Sequence, residues 1–365
     1  MLQPGTLDEI REICTGSRQF LPRGAGTKSS LSSVTDNTVT LLDMRGYSGV
    51  VSYDASEFLI TVRGGTTINE LREVLGAEGQ YLPFDPVFAA RGATIGGSIA
   101  SGISGPCRLL YGGLRDFMLE VAVCDSAGRE IRGGGKVVKN AAGFDLPKLV
   151  VGSYGRMGVI TEATLKVFPR PQGWLTIRCE ASSFATALAT GLSLLALPLP
   201  IAALEFENPS TLLVRLAGPL DSLPGMAQRV TAQIPPRQSR TIFESGEEEA
   251  QLWIDRAEFA WADGAAALVR VAVAHHQCRG LVASLAGLGS SLRYAISCGA
   301  SVAWIATDSP QDLEGLGSLL AQEKLSGVVI CGAPGLTLLG DTRWVSTAER
   351  IRLALDRDRK YLSYA

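Results

Sequence analysis

Two glycine-rich segments contain the residues best suited to hold a ligand against bare backbone. The first is PRGAGT at 22–27, and the second is GATIGGSIASGISG at 92–105. Because glycine has no Cβ and tolerates positive φ, such segments bring peptide N–H groups within reach of a large flat or anionic group. Two separated segments predict a ligand with two ends to hold, such as a dinucleotide.

The first segment matches neither of two common phosphate-binding motifs. A Walker A loop places its lysine directly after glycine, whereas Lys28 follows Thr27, and the dinucleotide fingerprint needs a glycine where Ser29 stands. Its N–H groups can still cradle a pyrophosphate, with Arg23 or Lys28 adding charge, although a tight turn explains this segment alone equally well. The second segment favours a ligand more strongly, because 96–100 predicts a helix start with unpaired N–H groups.

The composition excludes several classes of partner and site. The chain has 365 residues, of which 46% are hydrophobic, so we expect two domains. Its 34 basic and 36 acidic residues give a net charge of −2, which argues against a nucleic-acid partner. None of the seven cysteines belongs to a Cys-x-x-Cys pair. We therefore expect reduced thiols and neither a metal site nor an iron–sulfur cluster.

We expect a cytoplasmic protein. The N-terminal MLQPGTLDEIREICTG lacks the basic start and apolar run of a signal peptide. The most apolar segment, 185–203, is interrupted by Gly191, Pro198 and Pro200, so it predicts a buried helix followed by a loop rather than a membrane span. Any association with a membrane would come through a partner.

The elements that position the glycine segments form a mixed α+β domain at 1–170, followed by an α+β cap at 171–365. The boundary is predicted at the PRPQG sequence of 169–173, because proline ends strands and favours linkers. Alternating or β-branched apolar residues predict strands at 38–42, 59–62, 119–125 and 158–168, and helical spacing predicts helices at 7–13 and 68–75.

The cap is predicted to be smaller than the first domain and to contain clearer helices. Ser245 is the candidate N-cap of a helix that begins with three acidic residues and runs to Trp261. Further patterns predict a strand at 266–274, a helix at 280–288 and a strand at 301–307.

Six motifs together resemble one family. They are PRGAGT, Asp85-Pro86, ATIGGSIASGISG at 93–105, YGGLRD at 111–116, KVVKNAAGFDLPKLVVGS at 136–153 and GRMGVITEATLKVFPRP at 155–171. This order resembles flavoproteins of the p-cresol methylhydroxylase and vanillyl-alcohol oxidase type, and the last two motifs are most similar to the FAD-binding subunits of bacterial glycolate oxidases. The resemblance covers 20–171 and is weak beyond.

The resemblance implies a split FAD-binding domain and names its cofactor contacts. Pro22, Arg23, Gly24, Ala25, Gly26 and Thr27 would wrap the pyrophosphate. Gly92, Ala93, Thr94, Ile95, Gly96, Gly97, Ser98, Ser101 and Gly102 would form the wall along the flavin and ribityl chain. Gly158, Val159 and Ile160 would offer backbone groups to the adenine end, and Asp85 and Pro86 would sit beside the ring.

The resemblance also bears on how the cofactor is attached. Covalent attachment in this family uses His, Cys or Tyr, and the first 170 residues contain no His, so we expect non-covalent FAD. Lys136, Lys139, Asn140 and Asp145 belong to a matching motif. They are expected to contribute either to the flavin pocket, to a partner surface, or only to a solvated face.

Equipment for substrate chemistry is scarce, and no catalytic residue is assigned. Oxidation of a 2-hydroxy acid requires a base, a cation for the carboxylate and a hydride acceptor. The resemblance leads us to expect a histidine-rich HGHxGDGN-like cap segment in catalytic relatives, and this chain has no match. Its only histidines, His275 and His276, are predicted neighbours on a strand facing opposite sides. Tyr154 stands where catalytic relatives often have Glu.

Three hypotheses follow. The first is an FAD-binding subunit of a glycolate oxidase complex, which takes part in electron transfer from glycolate alongside a catalytic flavoprotein subunit and an iron–sulfur subunit. The second is a self-sufficient FAD-dependent oxidoreductase of a small 2-hydroxy acid that uses Arg, Tyr or one His as its base. The third is a flavin-stabilised scaffold whose FAD does not turn over. Scarce acid–base equipment in the cap favours the first.

Overall fold

The computed structural model describes residues 1–16, 18–135, 144–207, 210–236, 238–288 and 292–364. Up to residue 170 the strands are β1 (Phe20–Arg23), β2 (Thr40–Asp43), β3 (Val50–Asp54), β4 (Leu59–Arg63), β5 (Gln80–Tyr81), β6 (Met118–Cys124), β7 (Glu130–Gly134), β8 (Val159–Lys166) and β9 (Phe168–Pro169). The helices of this region are α1 (Leu7–Gly16), α2 (Ile68–Ala77), α3 (Ile95–Ser101), α4 (Arg108–Tyr111), α5 (Leu114–Phe117) and α6 (Leu146–Val150).

After residue 170 the strands are β10 (Gly173–Glu180), β11 (Ile201–Glu207), β12 (Thr211–Gly218), β13 (Ser239–Phe243), β14 (Ala267–Ala272), β15 (Leu292–Ser297), β16 (Val302–Thr307), β17 (Ser326–Cys331) and β18 (Leu338–Gly340). The helices are α7 (Phe184–Leu195), α8 (Leu223–Thr231), α9 (Glu247–Glu258), α10 (His275–Gly287), α11 (Asp312–Gln322) and α12 (Trp344–Leu355).

Two antiparallel sheets organise these elements. The first has five strands in the order β3-β4-β8-β6-β7, beside a parallel pair β1-β2. The second has nine strands in the order β13-β10-β12-β11-β15-β16-β14-β17-β18. The fold is therefore α+β, as predicted, but the second region is not the smaller one, because its sheet also recruits strands that the sequence patterns did not identify, including β10 and β12.

The central strands of the nine-stranded sheet, β11, β12 and β16 among them, are buried on both faces, which explains their continuous apolar sequences. Successive side chains on a strand point to opposite faces. Val269 of β14 accordingly packs into a cluster with α7, α8, α10 and α11. Leu268, its neighbour, packs into a cluster with residues of the first region, and so do Trp304 and Val328. The sheet thus has a helix-covered face and a face toward the first region.

The C-terminal segment returns to the first region. Tyr361 packs its ring against Phe20, with the ring centroids 4.8 Å apart, and its hydroxyl donates to the Cys124 carbonyl at 2.7 Å. The Lys360 ammonium donates to the Cys14 carbonyl at 2.9 Å. We therefore propose that residue 170 divides the chain into the parts that form the two large sheets. The last described residues follow the second sheet in the chain but pack against the first region.

The predicted elements of the first region are present. Strands at 38–42, 59–62, 119–125 and 158–168 correspond to β2, β4, β6 and β8, and the two helices correspond to α1 and α2. Helix α2 is fixed by a capping box in which Thr67 accepts from the Glu70 N–H and the Glu70 carboxylate accepts from the Thr67 N–H. The predicted buried helix at 185–203 is α7, followed by a loop and then by β11.

The predicted N-cap at Ser245 is wrong. The Ser245 hydroxyl accepts from the Trp174 N–H and donates to the Trp174 carbonyl, each at 2.6 Å, so it joins β10 instead of capping a helix. Helix α9 begins at Glu247 behind Gly246, which provides no side-chain cap. It ends at Glu258 rather than at Trp261, because Phe259 adopts a left-handed conformation with φ of 57°.

The prediction that His275 and His276 lie on a strand is also wrong. Strand β14 ends at Ala272, and the two histidines form the first turn of α10. Both side chains are exposed there, while Cys278 and Leu281 make the buried face of the helix. The short apolar run before the histidines belongs to the strand, and the helical periodicity begins only after it.

Candidate functional site

The first glycine segment lines an open trough in the first region. Two adjoining cavities, with empty volumes of about 450 and 340 Å³, share wall residues from the 22–24 segment, from α3 and from Gly155. The predicted residues that line the trough are Pro22, Arg23, Gly24, Ala25, Gly26, Thr27, Thr94, Gly96, Gly97, Ser101, Gly158 and Ile160. The structure therefore brings together most of the proposed cofactor contacts from three distant parts of the chain.

The loop after β1 presents unbonded peptide N–H groups to this trough. Among the described residues, none accepts a hydrogen bond from the N–H of Ala25, Gly26 or Thr27. Gly26 has a φ of +71°, which favours glycine. Consecutive free amides in such a loop form a concavity suited to an anion.

The second region holds this loop in place. Cys331 Sγ lies 3.5 Å from the Thr27 carbonyl oxygen, and the Ala333 N–H donates to Ser30 Oγ at 3.1 Å. The Gly335 N–H donates to Ser33 Oγ at 2.9 Å. The geometry of the loop after β1 thus depends on the segment after β17.

The expectation of unpaired N–H groups at the start of α3 is wrong. The Ile95 N–H donates to the Thr66 carbonyl and the Gly96 N–H donates to the Gly64 carbonyl, each at 2.8 Å. The Gly97 N–H donates to Thr94 Oγ1 at 3.2 Å, which makes Thr94 the N-cap. Because this helix has already used its first amides inside the protein, it does not offer them to a ligand.

The two central glycines of α3 have different roles. A Cβ on Gly96 would lie 2.7 Å from the Gly64 carbonyl oxygen, so the close approach of two backbones requires glycine there. A Cβ on Gly97 would meet only Thr94 Oγ1, at 3.1 Å, and otherwise open space. Gly97 therefore keeps the trough wide, while Gly96 keeps α3 against the end of β4.

Several predicted contacts support the trough wall instead of lining the cavities. Ala93, Ile95 and Val159 are buried in apolar clusters. Gly92 has a φ of +80°, and Gly102, with a φ of +64°, is the C-cap of α3. Positive φ explains the need for glycine at both positions without a ligand.

Ser98 is a special case within the same helix. It lies one turn from Thr94 and Ser101, and its hydroxyl oxygen is buried without a hydrogen-bond partner among the described residues. Buried hydroxyls nearly always have a partner. Ser98 is nevertheless only 1% exposed and lines neither cavity, so its unpartnered hydroxyl does not mark a contact with a ligand in the trough.

Asp85 and Pro86 line a different cavity. This larger cleft lies at the junction of the two regions and shares no wall residue with the trough. Asp85 adopts a φ of 54°, and its carbonyl accepts from the Gly105 N–H at 2.6 Å. A Cβ on Gly105 would lie 2.4 Å from that carbonyl oxygen, so this pair fixes the loop after α3.

Arg215, which lines this larger cleft, belongs to a buried ion pair. Arg215 donates from Nε to Glu249 Oε1 at 2.8 Å and from Nη2 to Glu249 Oε2 at 3.0 Å. Its guanidinium also lies over the Trp174 ring, 4.0 Å from the centroid. Such a bidentate pair satisfies its own charges and positions the surrounding aromatic walls.

Sequence reasoning missed part of the trough. Leu31, Ser32, Met44, Gly64 and Ala100 line it without having been proposed. For Gly64 the sequence contained one signal, the glycine pair Gly64-Gly65. In the structure this pair follows β4, and a Cβ on Gly65 would collide with the Met44 carbonyl oxygen. Lys28, which the sequence predicted to add charge for a pyrophosphate, also lines the trough, and so does Tyr154.

One cation lies near the trough without a counter-ion. Arg270 on β14 pairs in register with Trp304 and Val328, which face the first region. The charged or ionisable groups that act on it are Tyr154, Arg108 and Cys298, with no carboxylate among the described residues. Burial lowers the pKa of Arg270 and raises that of Tyr154.

A neighbouring arginine is neutralised. Arg256 donates to Glu207 Oε1 at 2.9 Å and to Glu205 Oε2 at 3.3 Å. Glu205 also accepts from the Cys298 N–H at 3.0 Å, and burial raises its pKa. Of these two cations on the second region, Arg270 alone therefore has charge available for another molecule.

The histidines and the lysine-rich motif do not add to the trough. His275 and His276 line none of the cavities described above. Lys136, Lys139 and Asn140 lie outside the described residues. Asp145 accepts from the Lys148 N–H at 3.1 Å and caps α6, which is a structural role.

Metal sites and membrane spans were also sought in the described part of the chain. It contains no group of three or more His, Cys, Asp or Glu side chains that could hold a metal ion. None of its helices is long and apolar enough to cross a membrane.

Comparison with known proteins identifies the first region. The family model of the FAD binding domain matches residues 1–134. This match lies within the first region and covers less than half of the chain. The chain is 39% identical over 214 residues to glycolate oxidase subunit GlcE of Escherichia coli (strain K12). That match covers 58% of this chain and 59% of GlcE.

Other relatives are similar to this chain over a comparable length. Glycolate oxidase subunit GlcD of Bacillus subtilis (strain 168) is 31% identical over 218 residues, and the match covers 59% of this chain and 46% of GlcD. D-lactate dehydrogenase of Archaeoglobus fulgidus is 30% identical over 210 residues, with coverage of 56% and 46%. The matched part thus spans at most about three fifths of these relatives.

The fold of the two regions together is found in solved structures. One structure of alkyldihydroxyacetonephosphate synthase superposes with a TM-score of 0.73 at 15% identity, covering 99% of this chain and 76% of that one. A second structure of that synthase gives a TM-score of 0.71. At this identity the likeness concerns the fold, which includes the nine-stranded second region.

Proposed function

We propose that this chain is the FAD-binding subunit of a glycolate oxidase complex, carrying non-covalent FAD that takes part in electron transfer during oxidation of glycolate to glyoxylate. The observation that carries the proposal is the trough, which combines three free amides at 25–27 with a glycine-lined wall. The relatives GlcE and GlcD, both subunits of glycolate oxidases, supply the substrate class.

The residues present fit FAD. We assign the pyrophosphate to the loop at 22–27, the ribityl chain and flavin to the α3 side of the trough, and the adenine end to Gly158 and Ile160. The open space beside Gly97 is what a bound cofactor would occupy. Val159, Ile95 and Ala93 support this wall from behind.

Non-covalent attachment follows from the chemistry of the lining. The first 170 residues contain no His, which is one of the attachment residues of the family. The trough lining contains no Cys and a single Tyr, Tyr154. FAD should therefore appear in the supernatant after acid precipitation of the purified protein, and yellow colour that stays in the pellet would contradict this assignment.

When bound, FAD supplies an acceptor for two electrons. The contribution of this chain is to bind and orient the cofactor with peptide N–H groups and to hold Arg270 nearby. No His, Asp or Glu side chain lines the trough among the described residues, and the exposed histidines at the start of α10 lie elsewhere. We therefore propose that a catalytic flavoprotein subunit oxidises glycolate and that an iron–sulfur subunit takes part in the electron transfer.

Co-expression tests this proposal. The chain should be co-purified with the products of its neighbouring genes, and flavin reduction by glycolate should be followed without oxygen. We expect the flavin of this chain to bleach only in the presence of a catalytic flavoprotein partner. Bleaching that never occurs, with every partner present, would favour the scaffold hypothesis. We place the complex in the cytoplasm, with any membrane contact made by partners.

One observation favours a second candidate, the self-sufficient oxidoreductase of a small 2-hydroxy acid. Arg270 is a cation without a carboxylate partner, close enough to Tyr154 for the two to interact electrostatically, and it could orient a substrate carboxylate. The isolated chain should then bleach with glycolate or D-lactate, and Arg270→Met should raise the substrate concentration needed. Absence of bleaching in the isolated chain leaves the subunit proposal standing.

A further inference from the structure

We propose that Lys28 supplies the positive charge that holds the pyrophosphate of FAD and makes the trough select a dinucleotide over riboflavin. This inference rests on the proposed function, because it concerns the same trough. It adds a residue and a physical basis for selectivity, since α3 cannot contribute its amides.

Lys28 is buried in an unusual way for a lysine. Its side chain is only 5% exposed, and it belongs to the wall of the trough directly after the free amides of 25–27. Lysine is almost never this buried unless its charge is paired. A buried ammonium in a cofactor trough therefore needs an explanation from the chemistry of the site.

The protein itself does not satisfy the Lys28 ammonium. Among the described residues it makes no hydrogen bond and no ion pair, and it lies 5.5 Å from the centre of the Phe88 ring. The closest acid that acts on it electrostatically is Glu258, beyond the 4.0 Å of an ion pair. Glu258 Oε1 already accepts from the Ala90 N–H at 2.8 Å, and Glu258 Oε2 lies 3.6 Å from Arg91 Nε.

The position of Lys28 in the chain points to the pyrophosphate as the missing partner. Three consecutive N–H groups without acceptors are followed directly in the chain by a trough-lining lysine without an ion-pair partner, and all four are groups that suit an anion. Helix α3 cannot replace it, because Gly64, Thr66 and Thr94 already accept its first N–H groups. The lysine thus takes over the role that a helix N-terminus often has in phosphate binding.

This arrangement makes cofactor binding sensitive to pH. Burial lowers the pKa of Lys28 to about 8, while the groups that face it, Cys331 on β17 and Glu258 at the end of α9, oppose that shift. The Arg91 guanidinium lies beside the same Phe88 ring, 5.1 Å from its centre. FAD binds the protonated lysine, so affinity should fall as the pH rises above about 8.

The experiment is a titration of the purified chain, stripped of cofactor, with FAD, ADP and riboflavin. The variant is Lys28→Met, Lys28→Arg retains the charge, and Lys166→Met is the matched control. Lys166 lies on β8 beside Phe168 and does not line the trough. Lys28→Met should weaken FAD and ADP about tenfold to a hundredfold and leave riboflavin unchanged.

The outcomes separate this inference from the proposed function. Wild-type affinity for ADP should fall between pH 7.5 and pH 9.5, and the Lys28→Met affinity should not. Equal loss of riboflavin binding would place Lys28 at the flavin ring and overturn the inference, as would unchanged ADP binding. Either result would leave FAD binding itself intact, whereas a wild-type chain that binds no FAD would overturn the proposed function.

Discussion

The two glycine segments look alike in the sequence, yet they perform different tasks. In the loop after β1, the N–H groups of 25–27 have no acceptor among the described residues. In the segment that forms α3, the N–H groups of 95–97 are bonded to Thr66, Gly64 and Thr94. Glycine content thus marks close backbone approach. At Gly96 the neighbour is the strand end at Gly64, and for the amides of 25–27 we propose that it is the cofactor.

The largest expected effect comes from substituting Gly96. A Cβ there would collide with the backbone of Gly64, so Gly96→Ala should destabilise the protein by about 1–3 kcal/mol and displace α3. Gly97→Ala is the matched control, since its Cβ meets only a side-chain oxygen at 3.1 Å. Urea unfolding should show a change below about 1 kcal/mol for Gly97→Ala. Similar losses for both variants would remove the proposed distinction between the two glycines.

Substitution of Gly26 tests the loop in the same manner. Gly26 has a φ of +71°, and an alanine there pays a strain of about 1–2 kcal/mol. Gly79→Ala is the control, because Gly79 has a φ of +63° outside the trough with no atom within 4 Å of its Cβ. Both variants should lose comparable thermal stability, but only Gly26→Ala should lose FAD affinity. Unaltered FAD binding in Gly26→Ala would contradict the assignment of this loop to the pyrophosphate.

The N-cap of α3 gives a smaller effect. Thr94→Ala removes the acceptor of the Gly97 N–H and should cost about 1 kcal/mol, as should Thr67→Ala at the N-cap of α2. Thr94 lines the trough and Thr67 does not. Flavin fluorescence titration should therefore separate two variants that calorimetry does not distinguish. The separation fails if both bind FAD as the wild type does.

The smallest predicted effect is the pH dependence of the cofactor-free protein. Since the folded pKa of Lys28 is about 8, below its ordinary 10.5, the unfolded chain binds more protons between these values. Stability from this group therefore rises with pH, by under about 1 kcal/mol between pH 7 and pH 8.5. Lys28→Met should lack this rise in urea unfolding midpoints. A rise of the same size in the variant would assign it to other groups.

The sequence predicted local elements better than it predicted partners. Strands β4 and β8 and helix α2 follow from alternation, helical spacing and the Thr67 cap, which are all local properties. Ser245 failed as a cap because its hydroxyl bonds Trp174, which is 71 positions away. The role of Gly96 likewise depends on Gly64, on a different element. Such distant contacts leave no periodic signal in the sequence.

The candidate site was predictable where a family motif recorded it. The 22–27 loop, Thr94, Gly97 and the 158–160 strand start were proposed from motifs, and the structure brings most of them into one trough. Met44 and Leu31 come from segments without a motif and were missed. Asp85 belongs to a motif but lies in the larger cleft, because it fixes Gly105 instead of lining the trough.

Amide hydrogen exchange with and without FAD is the most direct test of whether the loop after β1, and not the start of α3, binds the cofactor through its N–H groups. We expect the amides of Ala25, Gly26 and Thr27 to exchange rapidly in the cofactor-free protein and to become protected when FAD binds. The amides of Ile95, Gly96 and Gly97 should be protected in both states, because the protein already bonds them. New protection at 95–97 with none at 25–27 would contradict the assignment of the pyrophosphate to the loop at 22–27.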